Sequence, residues 1–354
     1  MRLRLRLGIL FLLSAGSLAQ AQSVLALSKH DHTLSIIDPI TLHVVAQVPV
    51  GDDPHEVVAS SDGATAYVSN YGFGAFHTLA VIDLVNHKQM PFIDLGALRG
   101  PHGLAFVDGK VWFTAEAAKA IGSYNPATGK IDWIMGTGQN RTHMLYVFPG
   151  AQRILTTNVN SATVTILEKT KGPAGMPPGL PSGFAGGPPP GAPAMHGPPP
   201  GPPGGDWNET VVPVGRGSEG FDVSPDGKEA WVANAQDGTI SVIDLAAKAV
   251  VATLNAEVPG ANRLKFTPDG HSVLVTAGSA LVVLDAASRT VTKRLTNVHG
   301  SGGILMQPDG ARAYVACGQD NYVAVIDLKT MEMIGHVDIA GPDGLAWAAR
   351  ANAK

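Results

Sequence analysis

Three histidines stand in similar surroundings along the chain: His55 in DPHEVV, His102 in GPHGLA and His143 in RTHMLY. Neutral imidazoles beside a carboxylate can hold a divalent cation or work as an acid/base pair. The carboxylate on offer is Glu116, fourteen residues after His102 in GPHGLAFVDGKVWFTAE. His55, His102, His143 and Glu116 are therefore the expected metal ligands, and His102 with Glu116 the expected catalytic pair if the protein is an enzyme. Glu219, Asn262 and Asp343 occupy the matching places further along. They are expected to touch a ligand, the acidic ones adding negative charge that suits a cation. Tyr71, Phe73 and Phe76 cluster after Asn70, where aromatic rings can stack on a ligand. Arg141 ends GTGQNR, a glycine-rich stretch that does not precede a helix; it reads as a loop at the same site rather than a phosphate loop. The competing reading makes all of these polar end-caps where strands reach water.

Positioning them requires a repeat. Turn signals recur as SSDG, VDG, SPDG, TPDG and QPDG, with Phe148-Pro149-Gly150 in a further place. Each lies between two short apolar runs such as FDVS and AWVAN, the pattern of a hairpin whose glycine takes the positive φ. A third run then ends in Asp38, Asp83, Asn125, Glu168, Asp244, Asp285 or Asp327, and a fourth follows. Four strands in each of seven repeats predict an all-β, seven-bladed β-propeller of about 42 residues per blade. The first repeat has no leading hairpin, whereas GPDGLAW at Gly341–Trp347 matches GPHGLAF at Gly100–Phe106. The ring is thus expected to close by pairing the C-terminal strand with three N-terminal ones. In this register the residues at issue open first strands or close second ones, as Asn70, Glu116, Asn158, Asn234 and Cys317 do. All should meet at the upper mouth of the channel, with His30 and His32 nearby.

The N-terminus carries Arg2, Arg4 and Arg6 before a short apolar run and Ala19-Gln20-Ala21, which reads as a secretory signal over 1–21, with the propeller over 22–354. A periplasmic or extracellular location is expected, as a monomer with no transmembrane segment after cleavage. Without the signal, 22 basic residues face 29 acidic ones, so nucleic acid is excluded as a bulk partner. Cys317 is the only cysteine, which excludes intrachain disulfides and thiolate metal clusters. Residues 171–206 hold 13 of the 26 prolines and read as a Pro/Gly-rich disordered insert between the third and fourth strands of blade 4. Strand parity puts it on the face opposite the histidines.

YVSN at Tyr67–Asn70 and WVAN at Trp231–Asn234 resemble the YVTN-repeat β-propellers, whose members include surface-layer proteins, lactonase-like enzymes and redox-enzyme domains. Locally, Gly100–Glu116 followed by IGSYNPATGKI resembles one blade of streptogramin (virginiamycin B) lyase. That resemblance implies that His102 and Glu116 assist a metal-dependent elimination. Two functions follow as expectations: a ligand-binding or protein-interaction module working through the His-lined mouth, or a metal-dependent lyase or lactone hydrolase at the same mouth. A divalent metal ion is the only cofactor expected. An unknown small molecule or an envelope protein is the expected partner, and a third reading puts the partner contacts on the insert of a purely structural envelope protein.

Overall fold

The computed structural model describes residues 21–170, 206–300 and 302–350. The signal therefore lies outside the described residues except for Ala21, and the insert except for Asp206. Seven four-stranded antiparallel sheets form a propeller. The innermost strands are Pro342–Arg350, Pro54–Ala59, Pro101–Val107, Thr142–Val147, Ser218–Val223, Arg263–Phe266 and Ile304–Met306; each packs on the next, and the last returns to the first. The closing blade joins Pro342–Arg350 to Ala21–Ser28, Thr33–Ile37 and Val44–Pro49, with Val24 opposite Trp347 and Ala26 opposite Leu345. Closure by the C-terminal strand is as the sequence predicts, and it covers an edge that would otherwise template aggregation. No helix among the described residues is long and apolar enough to cross a membrane.

Each blade packs face to face on its neighbours, so middle strands are buried on both sides and read as nearly continuous apolar runs. Thr65–Asn70 is an example. Outer strands alternate exposed and half-buried residues, as in Lys130–Gly136. Seven apolar clusters result, one at each interface between blades; Trp231 against Phe266, ring centroids 5.5 Å apart, belongs to that between blades 5 and 6. The acidic endings of third strands have a structural purpose. Asp38 Oδ1, for instance, accepts from the amides of Ile40 (2.8 Å) and Thr41 (2.9 Å), closing the turn into the fourth strand.

Two details differ from the expectation. The second-strand closers Asn70, Asn158, Asn234 and Cys317 are buried within the blades rather than lining the mouth. Asn70 Nδ2 donates to the carbonyls of Val50 (2.8 Å) and Asp52 (3.1 Å), because a strand end buried between blades must satisfy its backbone locally. Second, Ala115 takes the strand-closing position, paired with Pro101 as Asn70 is with Pro54. Glu116 therefore lies one residue beyond the strand, and this places it at the mouth.

Candidate functional site

Three places in each blade reach the mouth. The first is the residue opening the innermost strand. Here the ladder slips by one residue, so His55, His102, His143 and Glu219 each sit in a β-bulge. A bulge re-aims a side chain, and these four turn from the blade interface toward the channel. The second is the residue just after the second strand: the Lys29, Tyr71 and Glu116 amides donate to the carbonyls of Gly341, Asp53 and Gly100 in three consecutive blades. The third is the residue two before the opener, in the left-handed region at Asp53 (φ 47°), Gly100, Arg141 (φ 57°), Gly217, Gly260 and Gly341. Glycine is at ease there, whereas Asp53 and Arg141 are strained. Both project charge into the mouth.

His102, Glu116 and His143 come together, their candidate ligand atoms all within 4.8 Å of one another and all three side chains buried. His143 Nδ1 donates to Glu116 Oε1 in a short hydrogen bond, and the Tyr71 hydroxyl donates to Glu116 Oε2 at 2.5 Å. On its other side, His143 Nε2 lies 2.8 Å from Glu219 Oε2, off the axis of a good hydrogen bond. Arg141 roofs the group, with Nη1 3.2 Å from Glu219 Oε1 and Nε 3.6 Å from Glu116 Oε2. The His102 ring packs on His143, centroids 3.9 Å apart, and its Nδ1 is buried without a hydrogen-bond partner among the described residues.

Burial works against charging either ring, but the outcomes are opposite. His143 is pushed above the usual imidazole value because Glu116 and Glu219 outweigh its desolvation. His102 is held well below that value by desolvation, reinforced by the positive charge of His143. Burial also disfavours ionised Glu219, yet His143, Arg141 and Arg263 bring its pKa down to about 2. Burial, then the Glu116 carboxylate, raises the Tyr71 phenol, keeping it a donor.

His55 stands beside the group, its ring centroid 4.7 Å from His102, with its nitrogens turned to other charges. Lys29 Nζ is 2.7 Å from His55 Nε2 and 3.3 Å from Asp53 Oδ1, while Asp343 Oδ2 is 3.5 Å from His55 Nδ1. Asn262 Oδ1 accepts from Arg263 Nη1 at 2.6 Å. Phe73 stands in solvent, 93% exposed, beside Tyr71, and Phe76 lies under Gly72 of its own loop. His32 pairs with Asp52 on the surface at 2.7 Å.

Lys29, Asp53, Glu56 and Arg263 were not foreseen. A signal existed for three of them: Asp53 replaces the glycine found two residues before most openers, and Glu56 and Arg263 replace the glycine found just after them in Gly103, Gly220, Gly303 and Gly344. Those glycines allow adjacent inner strands to touch; a Cβ on Gly344 would lie 2.4 Å from the His55 carbonyl oxygen. Around the mouth the carboxylates Asp53, Glu56, Glu116, Glu219 and Asp343 outnumber the fixed cations Lys29, Arg141 and Arg263 by two. A divalent ion balances that count when the histidines are neutral, and His102 offers it a free lone pair. The donor set therefore fits a metal, provided that His143 gives up its proton.

No protein-family model and no curated protein matches the chain. Solved structures do. A protein of unknown function from Desulfotomaculum acetoxidans DSM 771 superposes with a TM-score of 0.70 at 13% identity, over 94% of this chain and 100% of that one. A proposed 6-phosphogluconolactonase from Bacteroides uniformis ATCC 8492 gives 0.68 at 14%, over 92% and 99%. Kuenenia stuttgartiensis hydrazine synthase gives 0.63 at 15%, over 84% and 90%. At such identities the likeness establishes the propeller and nothing about chemistry.

Proposed function

We propose that this propeller, of YVTN type in its repeats, is an exported binding protein whose mouth holds a divalent cation through His102, Glu116 and His143. The bound ion would be offered to a small ligand. The observation that carries this reading is the buried, unpartnered Nδ1 of His102 among the ligand atoms of Glu116 and His143. A buried polar atom without a partner costs about 1–3 kcal/mol, so a ligand that satisfies it has a built-in advantage. Two imidazoles and a carboxylate suit Zn²⁺ or Mn²⁺ better than Ca²⁺ or Mg²⁺, which prefer oxygen alone. Arg141 and Lys29, partly exposed on the solvent side, would orient an anionic or carbonyl group of the ligand, with Tyr71 and Phe73 beside them.

Titration calorimetry of EDTA-stripped protein should show one Zn²⁺ or Mn²⁺ site, weakened at least tenfold in His102→Ala and in Glu116→Gln. Absence of binding, or binding indifferent to both changes, overturns the proposal. The neutral state of His102 favours one variant of the reading, a lyase or lactone hydrolase in which Glu116 and His143 would hold the ion and the free Nδ1 of His102, no longer a ligand, would take the proton from the substrate. Opening of a cyclic ester by the metal-loaded protein, abolished in His102→Ala, separates that variant from binding alone.

A further inference from the structure

Below the histidines the channel changes character. Arg263 Nη2 donates to Glu56 Oε1 at 2.5 Å, across the axis between strands three steps apart around the ring. Both side chains are nearly buried, so the pair forms a floor under the mouth. Beneath it lies a separate cavity of about 480 Å³. Its walls include Met144, Tyr146, Leu305, Leu345 and Trp347, with Arg263 in its roof. The volume falls within the range of small-molecule sites, roughly 300–1,000 Å³.

The polar groups in this cavity define what it can take. The charges are matched within the wall: Arg263 with Glu56, and Lys265 Nζ with Asp222 Oδ1 at 3.1 Å. Asp222 Oδ2 is also engaged, accepting from the Phe266 amide at 3.0 Å. Among the described residues, two donors in this lining remain buried with no acceptor, Arg263 Nε and Trp347 Nε1. Arg263 itself is only 7% exposed. An anion would add unbalanced charge beside Glu56, and a cation would have to compete with Arg263 for the Glu56 carboxylate. An uncharged oxygen satisfies the donors without either cost.

We propose that the lower channel is a second ligand site, for an uncharged molecule with an aromatic or alicyclic body and a carbonyl oxygen. The body packs against Met144, Tyr146, Leu305, Leu345 and Trp347, and the oxygen accepts from Trp347 Nε1 or Arg263 Nε. The site is independent of the cation at the mouth.

The probe is 6-propionyl-2-(dimethylamino)naphthalene, an uncharged aromatic ketone whose emission shifts to the blue in apolar surroundings. Titrated into the full chain in EDTA, it should show a saturable blue shift with one probe per protein. Leu305→Trp, which fills the cavity, should weaken binding at least tenfold; if that variant does not fold, Leu305→Phe should weaken it in the same sense. Trp347→Phe keeps the ring and removes the donor, and should weaken binding about threefold to tenfold. His102→Ala should leave it unchanged. The proposal is overturned if no saturable shift occurs, which would mean that water alone occupies the cavity. It is equally overturned if the shift survives both Leu305 variants, as binding in another groove would, or if Trp347→Phe binds like the parent chain.

Discussion

His102 and His143 are packed ring to ring and equally buried, yet differ in charge because one meets two carboxylates and the other meets none. That difference fixes the sign of two pH effects in the metal-free protein. A raised pKa for His143 makes its stabilisation complete below the unfolded value of about 6.5, and lost as pH rises through the higher folded value. A lowered pKa for His102 does the reverse: its contribution is complete above about 6.5 and lost as pH falls toward the folded value. Urea denaturation in EDTA should therefore show His143→Gln costing about 2 kcal/mol at pH 6, and less at pH 9. His102→Gln should flatten the fall in stability between pH 7 and pH 5. Cation binding must displace the His143 proton, so affinity should rise with pH beyond neutrality, with close to one proton released per ion near pH 7. Calorimetry in two buffers of different ionisation enthalpy measures that proton directly. If both variants kept the parent's pH profile, the charge assignment would be wrong.

The bulged inner strands depend on hydroxyls from the second strands. Thr114 Oγ1 accepts from the Gly103 amide at 2.9 Å and donates to the His143 carbonyl oxygen at 2.6 Å, tying blade 3 to blade 4. Ser69 joins the Glu56 amide to the His102 carbonyl in the same way, and Thr157 joins Met144 to Glu219. Blade 5 has Ala233 in this place and bonds the Gly220 amide directly to the Asn262 carbonyl. Thr114→Val is nearly isosteric but leaves a buried donor and acceptor unpaired. It should cost about 2–4 kcal/mol in urea denaturation and also weaken Zn²⁺ binding, since it loosens the openers that carry both histidines. An unchanged stability would show that the relay is incidental. Hairpins and strand order were legible because Asp-Gly turns punctuate the chain at fixed offsets. The bulges were not, since no residue type marks a one-residue slip, and the meeting of Glu116 with His143 follows from that slip together with the extra Ala115. Lys29 is hidden for another reason: it lies directly after the second strand, the place that reaches the channel, and its residue type does not mark that place.

A ring of blades is stable because every blade is covered on both faces, so closure is a property of the whole chain. That closure was legible in the match between Gly341–Trp347 and Gly100–Phe106. The frame at the insert's two ends adds what the sequence did not show. The third and fourth strands of blade 4 remain paired to Lys169 opposite Trp207, at the end of the blade away from His143. Beyond that pair, the Thr170 amide donates to the Asp206 carbonyl at 2.8 Å, and the Asp206 amide donates to Thr170 Oγ1 at 3.1 Å. Asp206 thus belongs to the blade, and the removable segment is 171–205. The clasp is in register for a two-residue hairpin, which Asn-Gly would close with its preference for positive φ. Shortening the connection from 35 residues to two lowers the closure entropy by roughly four halvings, about 2.5 kcal/mol in favour of folding. Replacement of 171–205 by Asn-Gly should therefore raise the melting temperature by a few degrees and leave Zn²⁺ affinity within about twofold. A lowered or non-cooperative transition would show that the insert contributes to the fold. A large change in Zn²⁺ affinity would show that it reaches the histidine mouth from the opposite end of the blade.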